Sequence, residues 1–413
     1  MKKKLNVLLI AQNFWPENFP INSIVKGLSS KINFTIITGK PNYPLGEFYR
    51  GYKKYGTILE NYNKSNKVIR VPILPRKKGT SLQLFFNYIS FLLSGIFFGY
   101  FYTKGKKFDR ILVCCPSPAT QIGIGVFFKI IKKVKLVTWV QDIWPESLFA
   151  TSHFNKKYYK SFLNYIFHYL YKQNDLLLVQ SNFFKKHFIK KKISNKLLVV
   201  PNATEKIEGQ LKKNSKTYID KNFFNITYTG NIGKAQPFKN FCLAANNIYL
   251  KNKNINFNIF GEGTDKKHLI NDIDKYNNKN IKIFDYVERT SLVEIYHQSD
   301  VLLILLKNKN ILNMTIPSKF QNYLIYKKPI LGWVAGQTKK LIDDKKCGLT
   351  ANPNNIKEFE TIVYKFYKYP LYQIHIYKYL DILFQISSHV LYFQRNCCHI
   401  IQQFYILHWG HET

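Results

Sequence analysis

Acid is scarce in this chain, and neither cysteines nor histidines occur in metal-binding or disulfide patterns. The six Cys have no paired spacing and no CxxC occurs, which excludes a disulfide scaffold and a zinc ribbon and fits a reducing compartment. The ten His form no HxH or HExxH pair. A single DxD occurs, Asp272-Ile273-Asp274, and a carboxylate-held Mg²⁺ is not expected. The expectation is a site with neither metal nor cofactor. Asp and Glu number 24 against 62 Lys and Arg, a net charge of +38. Two readings of that excess stay open: attraction to polyanions, or the codon drift of an A/T-rich genome, which heavy use of Lys, Asn, Ile, Phe and Tyr also fits. The Lys are scattered and no RNA- or DNA-binding module is recognisable, so nucleic acid is not the expected partner.

Apolar material is plentiful: 46% of the 413 residues are hydrophobic, with 33 Phe and 29 Tyr. That rules out a disordered or fibrous chain, and the length suits roughly two to three domains. Met1-Lys2-Lys3-Lys4 followed by apolar residues 5–11 superficially resembles a secretory signal. The run is short, and Gln12-Asn13-Phe14-Trp15-Pro16-Glu17 stands where small cleavage-site residues belong. A first buried strand in a cytoplasmic protein is the better expectation.

Short apolar runs recur at 5–11, 34–38, 110–115, 136–140, 176–180 and 197–200, and again at 225–229, 257–260, 281–284, 301–306 and 329–333. They are too continuously apolar for one-faced strands and read as parallel strands covered on both sides. Helical patterns at 21–30, 158–173 and 292–298 lie between them. The alternation predicts an α/β fold with two doubly wound domains. Residues 201–218, polar and aperiodic, read as the linker. The expected domains are 1–205 and 206–369, followed by an atypical tail at 370–413. In such sheets ligands bind beyond the carboxyl ends of the strands.

Residues 79–103 carry no charge, with lysines at 77, 78, 104, 106 and 107 flanking them. Gln83, Asn87, Ser90 and Ser94 fall on one stripe of a helix otherwise apolar. A core helix, a helix dipping into one membrane face and a full span all fit, and the flanking lysines favour the peripheral reading.

Four post-strand segments carry candidate chemistry. Gly230-Asn231-Ile232-Gly233-Lys234 and Gly261-Glu262-Gly263-Thr264 each follow a strand, suiting close approach of a nucleotide diphosphate, although a plain strand-to-helix turn fits too. Thr315-Ile316-Pro317-Ser318-Lys319 precedes a helix at 320–326, with Thr315 as the first candidate cap and Lys319 placed to neutralise a pyrophosphate. In Gln141-Asp142-Ile143-Trp144-Pro145-Glu146-Ser147 a carboxylate can orient a hydroxyl or accept its proton, and Trp144 can stack on a sugar.

Eight phrases taken in order resemble one family. They are Gln12 to Glu17, Gly39-Lys40-Pro41-Asn42-Tyr43-Pro44-Leu45-Gly46, Gln141 to Ser147, Val200-Pro201-Asn202, Tyr228 to Gln236, Gly261-Glu262-Gly263, Ile316-Pro317-Ser318-Lys319 and Lys328-Pro329-Ile330. The resemblance is to the retaining glycosyltransferases of family 4, of the GT-B fold, and within it to bacterial O-antigen, capsule and colanic-acid enzymes, including the fucosamine transferases. It implies a nucleotide-sugar donor, usually a UDP-sugar and of the N-acetylfucosamine type in the nearest branch, held by the second domain. It also implies a polyprenyl-diphosphate-linked saccharide acceptor reaching the first domain at the inner face of the cell membrane, and metal-independent transfer with the donor's own phosphate as base. Carried onto this chain, Asp142 and Lys319 are the catalytic candidates. Gly230, Asn231, Gly233, Lys234, Gly261, Glu262, Gly263, Ser318 and Asn322 are the donor-binding candidates, and Glu17, Asn42, Trp144 and Glu146 the acceptor-binding ones.

The chain departs from the family pattern where Met314 and Asn322 replace two glutamates, Gln337 replaces a third, Gln141 replaces a histidine and Asn231 an arginine. A catalytically impaired nucleotide-sugar-binding protein is the alternative those losses suggest. From Pro370 onward five of the ten His appear, together with Cys397 and Cys398, while Lys378 and Arg395 are the only Lys or Arg. A frameshift near Tyr369 accounts for that change of composition.

Overall fold

The computed structural model describes residues 4–369 apart from 54, 64, 152–156, 194–195 and 201–216. The chain divides into two compact units, whose described residues are 4–200 and 217–369. The Pro201-Asn202 phrase, most of the expected linker and the 370–413 tail lie outside the described residues.

Unit 1 holds strands β1 (Leu5–Ile10), β2 (Ile32–Gly39), β3 (Ile58–Tyr62), β4 (Asn66–Val71), β5 (Arg110–Cys115), β6 (Leu136–Val140), β7 (Leu176–Val179) and β8 (Lys196–Val199). Its helices are α1 (Pro20–Leu28), α2 (Ser81–Thr103), α3 (Gln121–Lys132), α4 (Glu146–Thr151), α5 (Lys157–Lys172) and α6 (Asn182–Lys190). The sheet order is β3-β4-β2-β1-β5-β6-β7-β8, parallel except where β3 runs against β4. Unit 2 holds β9 (Phe224–Thr229), β10 (Ile255–Phe260), β11 (Ile281–Phe284), β12 (Val301–Leu305), β13 (Ile330–Trp333) and β14 (Gly348–Ala351). Its helices are α7 (Phe238–Lys251), α8 (Lys266–Lys275), α9 (Leu292–Gln298), α10 (Asn310–Met314), α11 (Ser318–Ile325), α12 (Gly336–Lys345) and α13 (Ile356–Lys368). Its sheet runs β11-β10-β9-β12-β13-β14, with every pairing parallel.

The two predicted doubly wound α/β domains are therefore present. Each sheet winds outward from its first strand and then returns to that strand's other side. The switch points lie between β1 and β5 in unit 1 and between β9 and β12 in unit 2. Loops beyond those strand ends are where such folds bind ligands.

Three strands escaped the apolar pattern for physical reasons. Edge strand β3 alternates exposed and half-buried residues. β4 carries Arg70, whose fully buried side chain pairs with Glu60 at 2.7 Å and lies 5.0 Å from the Tyr52 ring. A charged residue in a buried strand disguises it. β14 is only four residues long and begins with Gly348, where a Cβ would fall 1.9 Å from the Ile330 carbonyl oxygen.

The uncharged segment forms α2, which crosses back from β4 to β5. Thr80 and Gln83 make a reciprocal capping box at its start. The helix is long and apolar enough to cross a membrane, yet its polar and small residues face the protein. Asn87, Phe91, Gly95, Gly99 and Thr103 are buried, and Leu82, Phe85, Phe86, Leu93, Phe97, Tyr100 and Phe101 are exposed. Gly95 and Gly99 let it lie close, since a Cβ there would fall 2.6 Å from Ile124 and 2.7 Å from Ile37. Asn87 accepts from the Gln12 amide at 2.7 Å and donates to the Leu74 carbonyl, and Leu74 N–H donates to Ser90 Oγ at 2.9 Å. The polar stripe is thus an inward-facing seam. α2 is not a core helix buried all round.

Replacing Asn87 by Leu strands the Gln12 amide and the Leu74 carbonyl in the interior. Unfolding by urea is expected to show a loss of about 1–3 kcal/mol, whereas Phe97→Ser on the outward face is expected to cost less than about 0.5 kcal/mol.

Candidate functional site

In unit 2 the loops after β9 and β10 run side by side. Gly230 N–H donates to the Phe260 carbonyl at 2.8 Å, and Ile232 N–H to the Glu262 carbonyl at 2.9 Å. Asp265 N–H donates back to the Ile232 carbonyl at 3.0 Å. Gly261 and Gly263 have φ of 155° and 158°, and a Cβ on either would strike the neighbouring loop's carbonyl oxygen at 1.9 and 2.1 Å. This loop-to-loop contact by itself requires glycine at both positions, a reason the sequence reading of that pair did not contain. The Glu262 side chain is exposed and accepts from Lys266 Nζ at 2.5 Å, and Lys266 also reaches Asp285 at 2.8 Å.

Gly230 has a different reason. A Cβ there would lie 2.9 Å from Lys319 Cε and 3.4 Å from its Nζ, so the missing side chain makes room for a lysine. That lysine stands at the start of α11, its Nζ 3.4 Å from the centre of the buried Tyr228 ring. Tyr323, also on α11, accepts from Thr229 N–H at 3.2 Å and so pins the helix to the end of β9. Among the described residues Lys319 has no ion pair, and burial pulls its pKa well below the ordinary 10.5. No side chain caps α11; its N-cap is Pro317. A cation at a helix N-terminus adds to the positive end of the helix dipole, so the pair awaits an anion. Thr315 is not that cap. It ends α10, with its hydroxyl donating to the Leu312 carbonyl at 2.8 Å, because Pro317 intervenes before the next helix.

The remaining donor candidates spread around this centre. Asn231 is exposed, and its carbonyl accepts from the Tyr228 hydroxyl at 2.6 Å. Gly233 N–H donates to the Gln236 side chain at 3.0 Å. Lys234 is exposed, its carbonyl taken by Lys307 Nζ at 2.7 Å. Ser318 is the exposed first residue of α11, and Asn322 is half-buried one turn further on. Tyr228 and Gln236, which shape the loop, were quoted in a family phrase but not singled out, since apolar burial and a local amide contact leave no signature in sequence.

In unit 1 the candidates divide. Asp142, beyond β6, accepts from the Ser147 hydroxyl. Burial pushes its carboxyl up to about 6, against the Ser147, Trp144 and Ile143 donors and with added repulsion from Glu146. Such a group sits where proton exchange with a substrate hydroxyl is possible near neutral pH. Its acceptor-binding companions prove to be framework, which corrects their direct-contact reading. Glu17 is 1% exposed: Oε1 accepts from Asn42 and Tyr43 N–H at 2.7 Å each, and Oε2 from the Asn13 amide at 2.9 Å. Burial raises its pKa despite those donors. Asn42 is equally buried, bonded to the Lys40 carbonyl at 3.0 Å and to Arg76 N–H at 3.2 Å. Trp144 is buried, with the Tyr88 ring at 5.9 Å and the Phe167 ring at 5.5 Å, so its ring is packed in the protein rather than offered to solvent for a sugar. Glu146 pairs with Lys191 at 2.6 Å and His187 at 3.2 Å, tying α4 to α6. Burial works against the Glu146 charge, but these partners win and hold its pKa at about 2.

Residues 209–379 match the family model for glycosyl transferases group 1. Unit 2 is a group 1 glycosyltransferase domain. Solved structures extend the likeness in fold to both units. A sucrose-phosphate synthase from Thermosynechococcus elongatus is 9% identical, with a TM-score of 0.71 over 97% of this chain and 100% of that one. Anabaena Alr3699/HepE, solved in complex with UDP and glucose, is 12% identical, with a TM-score of 0.66 over 96% and 99%. WaaG, described as a glycosyltransferase involved in lipopolysaccharide biosynthesis, is 12% identical, with a TM-score of 0.62 over 91% and 94%. None of the curated proteins matches the sequence. The two parallel-sheet units are those of the GT-B fold. The loop after β9, at the switch point of unit 2, carries the Gly230–Lys319 contact.

Both charged candidates cost the fold something. A carboxylate whose folded pKa is raised destabilises above its unfolded value, so Asp142→Asn is expected to raise the melting temperature at pH 8, the gain fading as pH falls through 6 toward 4. An ammonium whose folded pKa is lowered destabilises at low pH, so the gain from Lys319→Met is greatest in acid and vanishes as pH rises toward 10.5. Thermal melts of both variants across pH 5–10 check each sign.

Proposed function

We propose that this chain is a retaining, metal-independent glycosyltransferase that moves a sugar from a UDP-sugar to a lipid-linked saccharide at a membrane surface, in the synthesis of a surface polysaccharide. The observation that carries the donor half is Lys319: a cation without a counter-ion among the described residues, against Gly230 and at a helix start that no side chain caps. A diphosphate supplies the missing negative charge. As the bond between the sugar and the diphosphate breaks, charge grows on the leaving oxygen, and Lys319 with the α11 N–H groups stabilises it. An oxygen of the same diphosphate takes the acceptor's proton on the attacked face. Asp142 orients the acceptor hydroxyl, a role suited to a carboxylate that titrates near 6. UDP in the Anabaena structure supports the choice of nucleotide.

α2 supports the membrane half. Its outward row of Leu82, Phe85, Phe86, Leu93, Phe97 and Phe101 is open, with exposed lysines 77, 78, 104, 106 and 107 at the ends. α5, which packs beside α3 as α2 does, adds exposed Tyr158, Phe162, Tyr165 and Tyr169 at helical spacing. Aromatic residues of this kind favour the headgroup layer, and each lysine near anionic lipid contributes about 1 kcal/mol. Such a surface suits a protein lying on one leaflet at the cytoplasmic face.

Turnover of a panel of UDP-, GDP- and dTDP-sugars with a lipid-linked acceptor tests the reaction. Lys319→Ala is expected to lower kcat at least 100-fold. Asp142→Asn is expected to lower kcat/KM at least 10-fold and to remove an acid limb in the wild-type profile near pH 6. Full rates in both variants would withdraw the site assignment, and donor binding without transfer would favour the impaired-enzyme reading that Met314 and Asn322 motivate.

Co-sedimentation with vesicles tests the surface. Phe97→Glu is expected to weaken binding to anionic vesicles about tenfold or more, with the melting temperature within 2 °C of wild type.

A further inference from the structure

Arg76 is a charged group of unit 1 whose backbone and neighbouring ring are held by hydrogen bonds from buried residues. It lies in the loop after β4, ahead of α2. Glu17 fixes the N–H groups of Asn42 and Tyr43, Asn42 Oδ1 then accepts Arg76 N–H, and the Arg76 guanidinium lies 5.1 Å from the centre of the Tyr43 ring. One buried carboxylate therefore orients both the backbone of Arg76 and the ring against which its head group rests. Lys40, fully buried, braces the same loop by donating to the Lys53 and Tyr55 carbonyls at 2.6 and 2.8 Å. The guanidinium itself has no ion pair among the described residues.

Tyr88 of α2, within the electrostatic influence of Arg76, makes an edge contact with Trp144 at 5.9 Å. Burial raises the Tyr88 pKa, while the Arg76 charge and a hydrogen bond with Ser117 oppose that rise and the Asp142 charge adds to it. Those influences place Arg76, Tyr88, Ser117 and Asp142 in one neighbourhood beyond the ends of β4, β5 and β6. Two turns of α2 carry both Tyr88 and the exposed Leu82, Phe85 and Phe86. An anion held by Arg76 thus sits beside the apolar row that the membrane reading lays on lipid.

We infer that Arg76, oriented by Glu17, Asn42 and Tyr43, is the residue of unit 1 that binds a phosphate of the lipid-borne diphosphate on the acceptor. This rests on the lipid-linked-acceptor reading and deepens it. An arginine with a free planar head suits a phosphate, which accepts two parallel N–H bonds. Glu17 and Asn42 are positioning residues: they touch no substrate and act by holding Arg76.

The test uses the full chain with UDP saturating, so that the Lys319 site is filled, and measures binding of farnesyl diphosphate, inorganic pyrophosphate and farnesol by calorimetry in detergent. Farnesyl diphosphate is expected to bind at least tenfold more weakly to Arg76→Ala than to wild type, and Arg76→Lys to recover part of that loss. UDP affinity is expected to stay within twofold in both variants, which also shows that they fold. Farnesol, lacking phosphate, is expected to be indifferent to the change. Equal farnesyl diphosphate affinity in wild type and Arg76→Ala would overturn the proposal. Pyrophosphate binding as tight as farnesyl diphosphate would assign a free anion and overturn the lipid-borne source. Failure of UDP to bind wild type would instead strike the glycosyltransferase reading and is scored separately.

Discussion

A lysine held without a counter-ion is the constraint around which the second unit is arranged. Keeping Lys319 against Tyr228 requires that residue 230 have no side chain, that Tyr323 hold α11 to the end of β9, and that no acid approach. Each condition is costly or neutral for the fold alone. Burying a charge without a partner is unfavourable, and a cation at a helix start opposes the dipole. Evolved folds tolerate such arrangements at sites that bind something. A diphosphate meets every requirement at once, because it brings the negative charge that both the ammonium and the helix terminus lack.

The first unit commits several of its buried and half-buried charges to structure. Glu17, Glu146, Arg70 and Lys40 are spent on bracing loops and helices through hydrogen bonds and ion pairs. Two further charged groups lie beyond the strand ends: Asp142, with its carboxyl lifted toward neutrality, and Arg76, whose charge acts on Tyr88. The bracing groups and these two belong to the same network. Glu17 is buried so that Asn42 and Tyr43 can hold Arg76, and Trp144 is packed so that Asp142 and Tyr88 keep their places.

α2 joins this chemistry to its setting. A helix that buries Asn87, Gly95, Gly99 and Thr103 while exposing Phe and Leu inverts the usual arrangement of a helix in water. The inward polar seam satisfies the loops after β1 and β4, and the outward apolar row is left for something other than water. One helix therefore both ties down post-strand loops of unit 1 and carries an exposed apolar row.

Much of the architecture was legible in the order of residues. Parallel strands covered on both faces must be continuously apolar, so runs such as 110–115 and 136–140 name themselves, and Arg110–Cys115 and Leu136–Val140 form as read. Edge strand β3 and the arginine-bearing β4 were hidden, because pairing with a neighbour and burial of a compensated charge are properties of contact rather than of composition. At the candidate sites the sequence alone marked which segments matter, through turns, a post-strand lysine and a cluster of carboxylates and indoles. Only the tertiary structure decided what each side chain does there. Glu17, Glu146 and Trp144 became framework, Gly261 and Gly263 became spacers between loops, and Arg76 emerged without an ion pair among the described residues. The reason is that burial, ion pairing and steric room are set by neighbours distant in the chain, and residue type at one position does not encode them.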